Sequence, residues 1–424
     1  MASDFPKVRH GLEAMPVDYD GKRMILLRDR LGYCSDSLLI SPQLAALVGQ
    51  MNGGNSLRDL QAYHMRCTGE LLYSEQLNAI VDKLDEHLFL ENERFLEAVS
   101  EALARFRGDP VKRMQFAGKS YPEDPDSLRT QLQAYFMEEP ANSPDMVEGA
   151  RADGKGKRLV GLVAPHIDIQ AGGTCFARAY QAVGKAVAPE TWVVLGTGHE
   201  PLENYFALTC KDFETPIGMV RHDRECCELI RRLASRDILA AEFTHQREHT
   251  VEFQAVFLAY IQPNATIVPM LCSFSPEEWE KERGYLDEMA EIIWDLSRLV
   301  GRPVGIIASV DLAHIGPRYG DASRPHQGTI SDHIAADRIL LDYLIRCDAA
   351  GFMEKVKREE NRRRICGISP LYIMARAVEG KAYGEVLHHT YATVDQLNSF
   401  VTFAGMAFYA GDPEAGRGES PAQP

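Results

Sequence analysis

Three segments of this sequence place a histidine just after a short apolar run. The run Leu159–Ala164 leads into Pro165-His166-Ile167-Asp168, the run 192–195 into Gly196-Thr197-Gly198-His199-Glu200, and the run 304–310 into Asp311-Leu312-Ala313-His314. If each run is a strand of an open α/β sheet, each histidine lies beyond a carboxyl end, where such sheets build their ligand crevice. Imidazole is the commonest metal ligand among side chains, so three of them on one rim make a candidate metal centre. Taken singly, a strand-end histidine is an ordinary hydrogen-bonded loop residue. Repetition at one topological position is what carries the reading. The neighbouring Gly172, Gly173, Gly196 and Gly198 would let backbone approach a ligand closely, or simply make turns.

Two further segments could add to such a site. In Arg247-Glu248-His249-Thr250-Val251-Glu252-Phe253-Gln254, the two glutamates are four apart and would share a helix face, with His249 beside them. The two-histidine spacing of H-E-x-x-H is missing, and alone the segment reads as an exposed, charged helix start. In Arg364-Ile365-Cys366-Gly367-Ile368-Ser369-Pro370, a cysteine precedes an apolar helix. The helix dipole and Arg362, Arg363 and Arg364 would favour its thiolate; the plainer reading is a buried small hydrophobe.

The elements that must hold these residues follow from periodicity. From residue 158 onward, strand-sized apolar runs alternate with amphipathic segments, which predicts an α/β domain with a largely parallel sheet. Strands are expected over 159–164, 192–195, 205–210, 266–271, 304–310, 384–391 and 399–407, and helices over 175–185, 225–233, 278–299, 330–345 and 370–377. Before this domain, residues 108–156 read as part linker, with one amphipathic helix over 127–136. Residues 1–107 form a separate zone. There a short strand over 23–28 precedes a helix begun by Ser41-Pro42, a second opened by Ser56 and a third from Tyr73, with Leu77, Ile80, Val81 and Leu84 on one face. Residues 88–90 look like a short strand or a wing. The domain boundaries are expected at 1–107, 108–410 and a disordered Gly/Pro/Glu-rich tail over 411–424.

Composition narrows the function classes. The chain has 424 residues, 45% of them apolar, and 46 Lys+Arg against 61 Asp+Glu give a formal charge of −15. No basic footprint for nucleic acid is present, nor a polybasic stretch for an anionic membrane, nor an apolar run long enough to span one. The N-terminal residues lack a signal pattern, so a cytoplasmic protein with reduced cysteines is expected. Nine cysteines at irregular spacing, without a CxxC pair, do not form a disulfide framework or a zinc ribbon.

The Ala-Pro-His166-Ile-Asp, Leu-Gly-Thr-Gly-His199-Glu, Arg-Glu-His249-Thr-Val-Glu252-Phe-Gln, Ser-Val-Asp311-Leu-Ala-His314 and Arg-Arg-Ile-Cys366-Gly segments, in this order, resemble the Memo family, which includes protein B of the AmmeMemoRadiSam gene system. The resemblance opens at Ala117-Gly118-Lys119-Ser120-Tyr121-Pro122 and runs to about Tyr409. It implies a fold similar to class III extradiol dioxygenases, which use non-haem iron(II). By position, it makes His166, His199 and Cys366 metal ligands. It places Asp311 and His314 beside them, with His314 in acid/base catalysis or as a further ligand. His249 and Glu252 are the candidate outer acid/base pair. The sequence departs from the family at Ile167-Asp168-Ile169, where members have Ala-Gly-Tyr, at Gln254, where animal members have His, and at Ala313, where some have Cys.

A His/His/Cys set suits iron, zinc or copper. The resemblance favours Fe(II) and redox or dioxygenase-like chemistry on a small molecule or peptide, beside a radical-SAM protein and the Amme-type protein of the same gene system. The alternatives on the same residues are a zinc-dependent hydrolase and a non-catalytic peptide-binding scaffold. The N-terminal zone, through Leu39-Ile40-Ser41, Asn52-Gly53-Gly54 and Leu57-Arg58-Asp59-Leu60, resembles the winged-helix-like peptide chaperone of PQQ biosynthesis, which implies a bound peptide.

Overall fold

The runs that precede the three histidines are neighbouring parallel strands. In the computed structural model, which describes residues 4–29, 33–34, 37–138 and 156–411, Leu159–Ala164, Val304–Ser309 and Thr191–Thr197 lie side by side in that order. Thr266–Cys272 and Gly218–His222 continue the parallel run. On the other side Phe400–Ala410 and Ala382–Thr393 add antiparallel strands. The architecture is α/β, with a large, mostly parallel mixed sheet.

Helices cover both faces. Alternate residues of each strand turn to opposite sides, so both faces must be buried and the strands read as continuous apolar runs. Val193, Leu195, Met270 and Ile306 join one core with Trp279, Leu286 and Met374, from Pro276–Val300 and Ile368–Val378. Trp192, Val194, Leu271 and Ile307 join the other with Phe176, Tyr180 and Phe257, from Ile169–Lys185 and Thr250–Ile261. The expected strands and helices of this region are all present, most extended by one to three residues and the strand around 205–210 trimmed to Phe206–Leu208. The helix expected over 175–185 starts at Ile169, because Asp168 caps it by accepting from the Gln170 N–H at 2.9 Å.

Two units divide at residues 109 and 110. The first has a three-stranded antiparallel sheet in which Lys22–Asp29 pairs with Leu12–Tyr19 and Ser37–Ile40. Four helices follow, Pro42–Val48, Leu57–Thr68, Ser74–Glu86 and Glu93–Gly108. Ser41 and Ser56 are the caps expected of them. Leu77, Val81 and Leu84 pack on Leu47, Leu60 and Phe89. The strand expected over 88–90 is reduced to a single bridge between Val8 and Leu90. The helix over 127–136 is Pro125–Met137, capped by Asp124. Within the expected linker Val111–Lys112 also forms a short strand against Asp212–Thr215; residues 139–155, and the tail from 412 onward, lie outside the described residues. No helix among the described residues is long and apolar enough to cross a membrane.

Candidate metal centre

Register aligns the rim. Ser309 stands opposite both Ala164 and Gly196, so the turns that follow these three residues leave the sheet at one level. His166, Asp311 and His199 sit two, two and three residues further on. The rings of His166 and His199 are 5.1 Å apart between centroids. Cys366, just ahead of the helix Ile368–Val378, brings its Sγ to 3.2 Å from His166 Nε2. One ligand atom from each of His166, His199 and Cys366 lies within 4.8 Å of the others, so these three could hold a metal ion.

Each imidazole has one nitrogen engaged already. His166 Nδ1 is 2.9 Å from the Ser309 carbonyl, and His199 Nδ1 is 3.0 Å from Glu248 Oε2. A partner on Nδ1 fixes the ring and leaves Nε2 as the lone pair for a ligand. Burial pushes the Cys366 thiol up, but His166 and His199 beside it pull it down further, to about 7. His199 is lowered by burial and raised more strongly by Cys366 and Glu248, so its net shift is upward. His166 is buried and shifted down, chiefly by desolvation.

Glu248 organises a second imidazole as well. Its Oε1 takes the His249 N–H at 2.9 Å and stands 3.0 Å from His249 Nδ1. The His249 ring stacks on His199 at 5.2 Å and lies 5.4 Å from His166. Burial pushes the Glu248 carboxyl up, yet the two histidines hold it well below the usual carboxylate range. Sequence reasoning missed this role because it put Glu248 and Glu252 on one helix face. The helix begins only at Thr250, so Glu248 precedes it and turns toward the histidines.

The geometry therefore pairs His249 with Glu248 rather than with Glu252. Glu252 is fully buried. Its carboxylate receives the Lys112 ammonium, the N–H groups of Gln115 and Phe116, and the Tyr121 hydroxyl at 2.6 Å. The helix start that reads as exposed and charged is buried from Thr250 to Ala259, because the sheet and the 111–121 segment cover it.

Other expected roles shift in detail. Asp311 acts on the turn that bears His166: its Oδ1 accepts the N–H groups of His166 and Ile167 at 3.0 and 3.1 Å. That fixes the turn bearing His166. His314 Nδ1 faces the Leu312 carbonyl at 3.1 Å, and Tyr319 packs edge-on against its ring. Burial lowers His314 and favours the neutral imidazole. Asp168 is exposed and serves as a helix cap. The three arginines before Cys366 are engaged elsewhere: Arg362 with Glu360, Arg363 with Asp337 and Glu359, Arg364 with Asp321. The glycines meet protein rather than a ligand crevice. A Cβ on Gly196 would strike Thr250, Leu271 and Val251, and one on Gly173 would strike the Tyr135 ring.

The family model described as "Memo-like protein" matches residues 112–407. The chain belongs to the Memo family. A "MEMO1 family protein" of Aquifex aeolicus is 28% identical over 386 residues, covering 91% of this chain and 96% of the relative. One of Methanopyrus kandleri is 30% identical over 307 residues, 70% of this chain and 98% of its own. The Memo match contains every residue of the candidate centre. The Aquifex aeolicus match is long enough that it must also reach well into Met1–Asp109.

Proposed function

We propose that this Memo-family chain binds a divalent transition metal, iron(II) first, through His166, His199 and Cys366, and carries out redox, dioxygenase-like chemistry on a small molecule or peptide. The observation that carries the reading is the mutual approach of these three donors within 4.8 Å, with both imidazoles already turned by Ser309 and Glu248. Two imidazoles and a thiolate fit iron, zinc or copper. When bound, such an ion supplies Lewis acidity and, for iron or copper, one-electron redox chemistry.

The chain's own residues do the rest. Glu248 orients His199 and His249 together. Asp311 holds the His166 turn. His314, neutral through burial and with Nδ1 directed at the Leu312 carbonyl, keeps Nε2 to accept a proton. His249, half-buried beside His199, is the second acid/base group. On this reading the N-terminal unit presents a peptide, and the partners are a radical-SAM protein and the Amme-type protein of the gene system. The support for a joint role is that the Aquifex aeolicus relative aligns over 91% of the chain.

Apo-protein reconstituted without oxygen with iron(II) or with zinc(II) tests this. Oxygen uptake with catechols or peptides by the iron form, lost in His314→Gln with iron retained, is the expected result. Ester hydrolysis by the zinc form without oxygen uptake by the iron form would replace it with a hydrolase.

A further inference from the structure

The loop that delivers Cys366 is tied to a buried charged cluster outside the centre. Asp337, on the helix Gln327–Ile345, is fully buried. One of its oxygens receives Arg363 Nη1, and the other stands 3.3 Å from Nε2 of His389, also fully buried, on the strand Ala382–Thr393. Such a cluster is poor value for stability alone. A buried ion pair can often be replaced by apolar side chains of similar volume without loss, and Ile330, Ile334 and Leu340, at helical spacing from Asp337 on the same helix, are themselves buried and apolar. What the pair does provide is a fixed position for Arg363.

That position matters because of what Arg363 and its neighbours hold. The Arg363 carbonyl accepts the His314 N–H at 2.8 Å. The next residue, Arg364, returns a bond from its guanidinium to the His314 carbonyl at 3.2 Å. Arg364 also sits in the left-handed region, with φ 51, a conformation that non-glycine residues keep only where the surroundings enforce it. Asn361 closes the loop by bonding both the N–H and the carbonyl of Ile365, the residue before Cys366. The segments carrying His314 and Cys366 are therefore one mechanical piece, and Asp337 is its anchor.

We infer that Asp337, through Arg363 and backed by His389, is a positioning residue that presets Cys366 and His314 for the metal centre. This rests on the reading of Cys366 as a ligand. Groups that orient metal ligands commonly change metal affinity by about 10–100-fold when removed. Here the lever is two steps removed and works through the backbone.

The test is cobalt(II) titration of the full chain, read by affinity and by the thiolate-to-cobalt absorption band. The Arg363→Met/Asp337→Leu double variant removes both charges of the ion pair but leaves His389 Nε2 without its partner, so its melting temperature should fall modestly. In the folded protein it should bind cobalt(II) about 10–100-fold more weakly and show a weakened band. Asp337→Asn keeps the side-chain shape and an acceptor for Arg363, whose second carboxylate partner Glu359 remains, and in the folded protein it should lose affinity in the same direction. Wild-type affinity and an unchanged band in either folded variant would overturn the inference. Cys366→Ser separates the two claims: if it binds cobalt(II) like wild type, the metal reading itself fails. If Cys366→Ser loses cobalt(II) while the Asp337 variants do not, only the positioning role fails.

Discussion

Glu248 and Glu252 are four residues apart and both buried, yet they serve opposite ends. Around Glu248, two imidazoles each have one nitrogen engaged and one left over, and the Cys366 thiol lies beside one of them, His199. Around Glu252, the carboxylate is surrounded by a lysine, two backbone N–H groups and a tyrosine hydroxyl. The first cluster has lone pairs to offer an incoming ion; in the second, every donor points at the same carboxylate. Burial of charge alone therefore does not identify a functional site. What distinguishes it is donor capacity that the protein leaves unused.

The largest expected effect breaks the comparison on the Glu252 side. Glu252→Gln leaves Lys112 buried without its counter-charge, which should cost about 3–5 kcal/mol in denaturant unfolding. Metal affinity should be unchanged in the folded fraction. An unaltered unfolding midpoint, or lost metal affinity with intact stability, would move Glu252 into the site.

A pH series comes next. His245, just upstream, is fully buried with Nε2 on the Ala207 carbonyl. Burial, with a smaller push from Lys112, holds its pKa down at about 4. The unfolded chain binds this proton near the ordinary value of about 6.5 and the folded chain does not. Stability from this group is therefore full above about 6.5 and declines as the pH falls to about 4, by on the order of 3 kcal/mol. His245→Gln should flatten that part of the stability profile; an unchanged slope would assign it to other groups.

The smallest effect sharpens the Glu248 side. Glu248→Gln keeps the shape but weakens the hold on His199 and His249. Metal affinity should fall by about 10–100-fold, measured by competition with a chelator, while the fold stays intact. Equal losses in Glu248→Gln and Glu252→Gln would erase the distinction between the clusters.

Much of the fold was legible because its signals are local. The continuous apolar strands read as a doubly covered parallel sheet, and Ser41, Ser56 and the runs before the histidines marked element ends. The strand Leu12–Tyr19 escaped because Pro16 and two acidic residues mask its alternation. Its one signal was Asp20-Gly21, a two-residue turn with φ 50 and 70 that joins Tyr19 to Lys22 across the hairpin. In the site, the convergence of His166, His199 and Cys366 followed from topology together with family motifs. The roles of Glu248, Glu252, Asp337 and Arg364 did not, since each has a partner distant in sequence: His199 meets Glu248, Lys112 meets Glu252, Arg363 meets Asp337 and Arg364 meets Asp321. No periodicity encodes such pairs, and the four-residue spacing of Glu248 and Glu252 misled because the helix starts between them.

The central claim is that His166, His199 and Cys366 form a metal centre. Elemental analysis of untagged protein purified without oxygen, alongside His166→Ala, tests it most directly. About one transition-metal ion per chain in the wild type, and loss of that metal in a folded His166→Ala variant, is the predicted result. Wild-type protein without metal, or equal occupancy in the two, would contradict it.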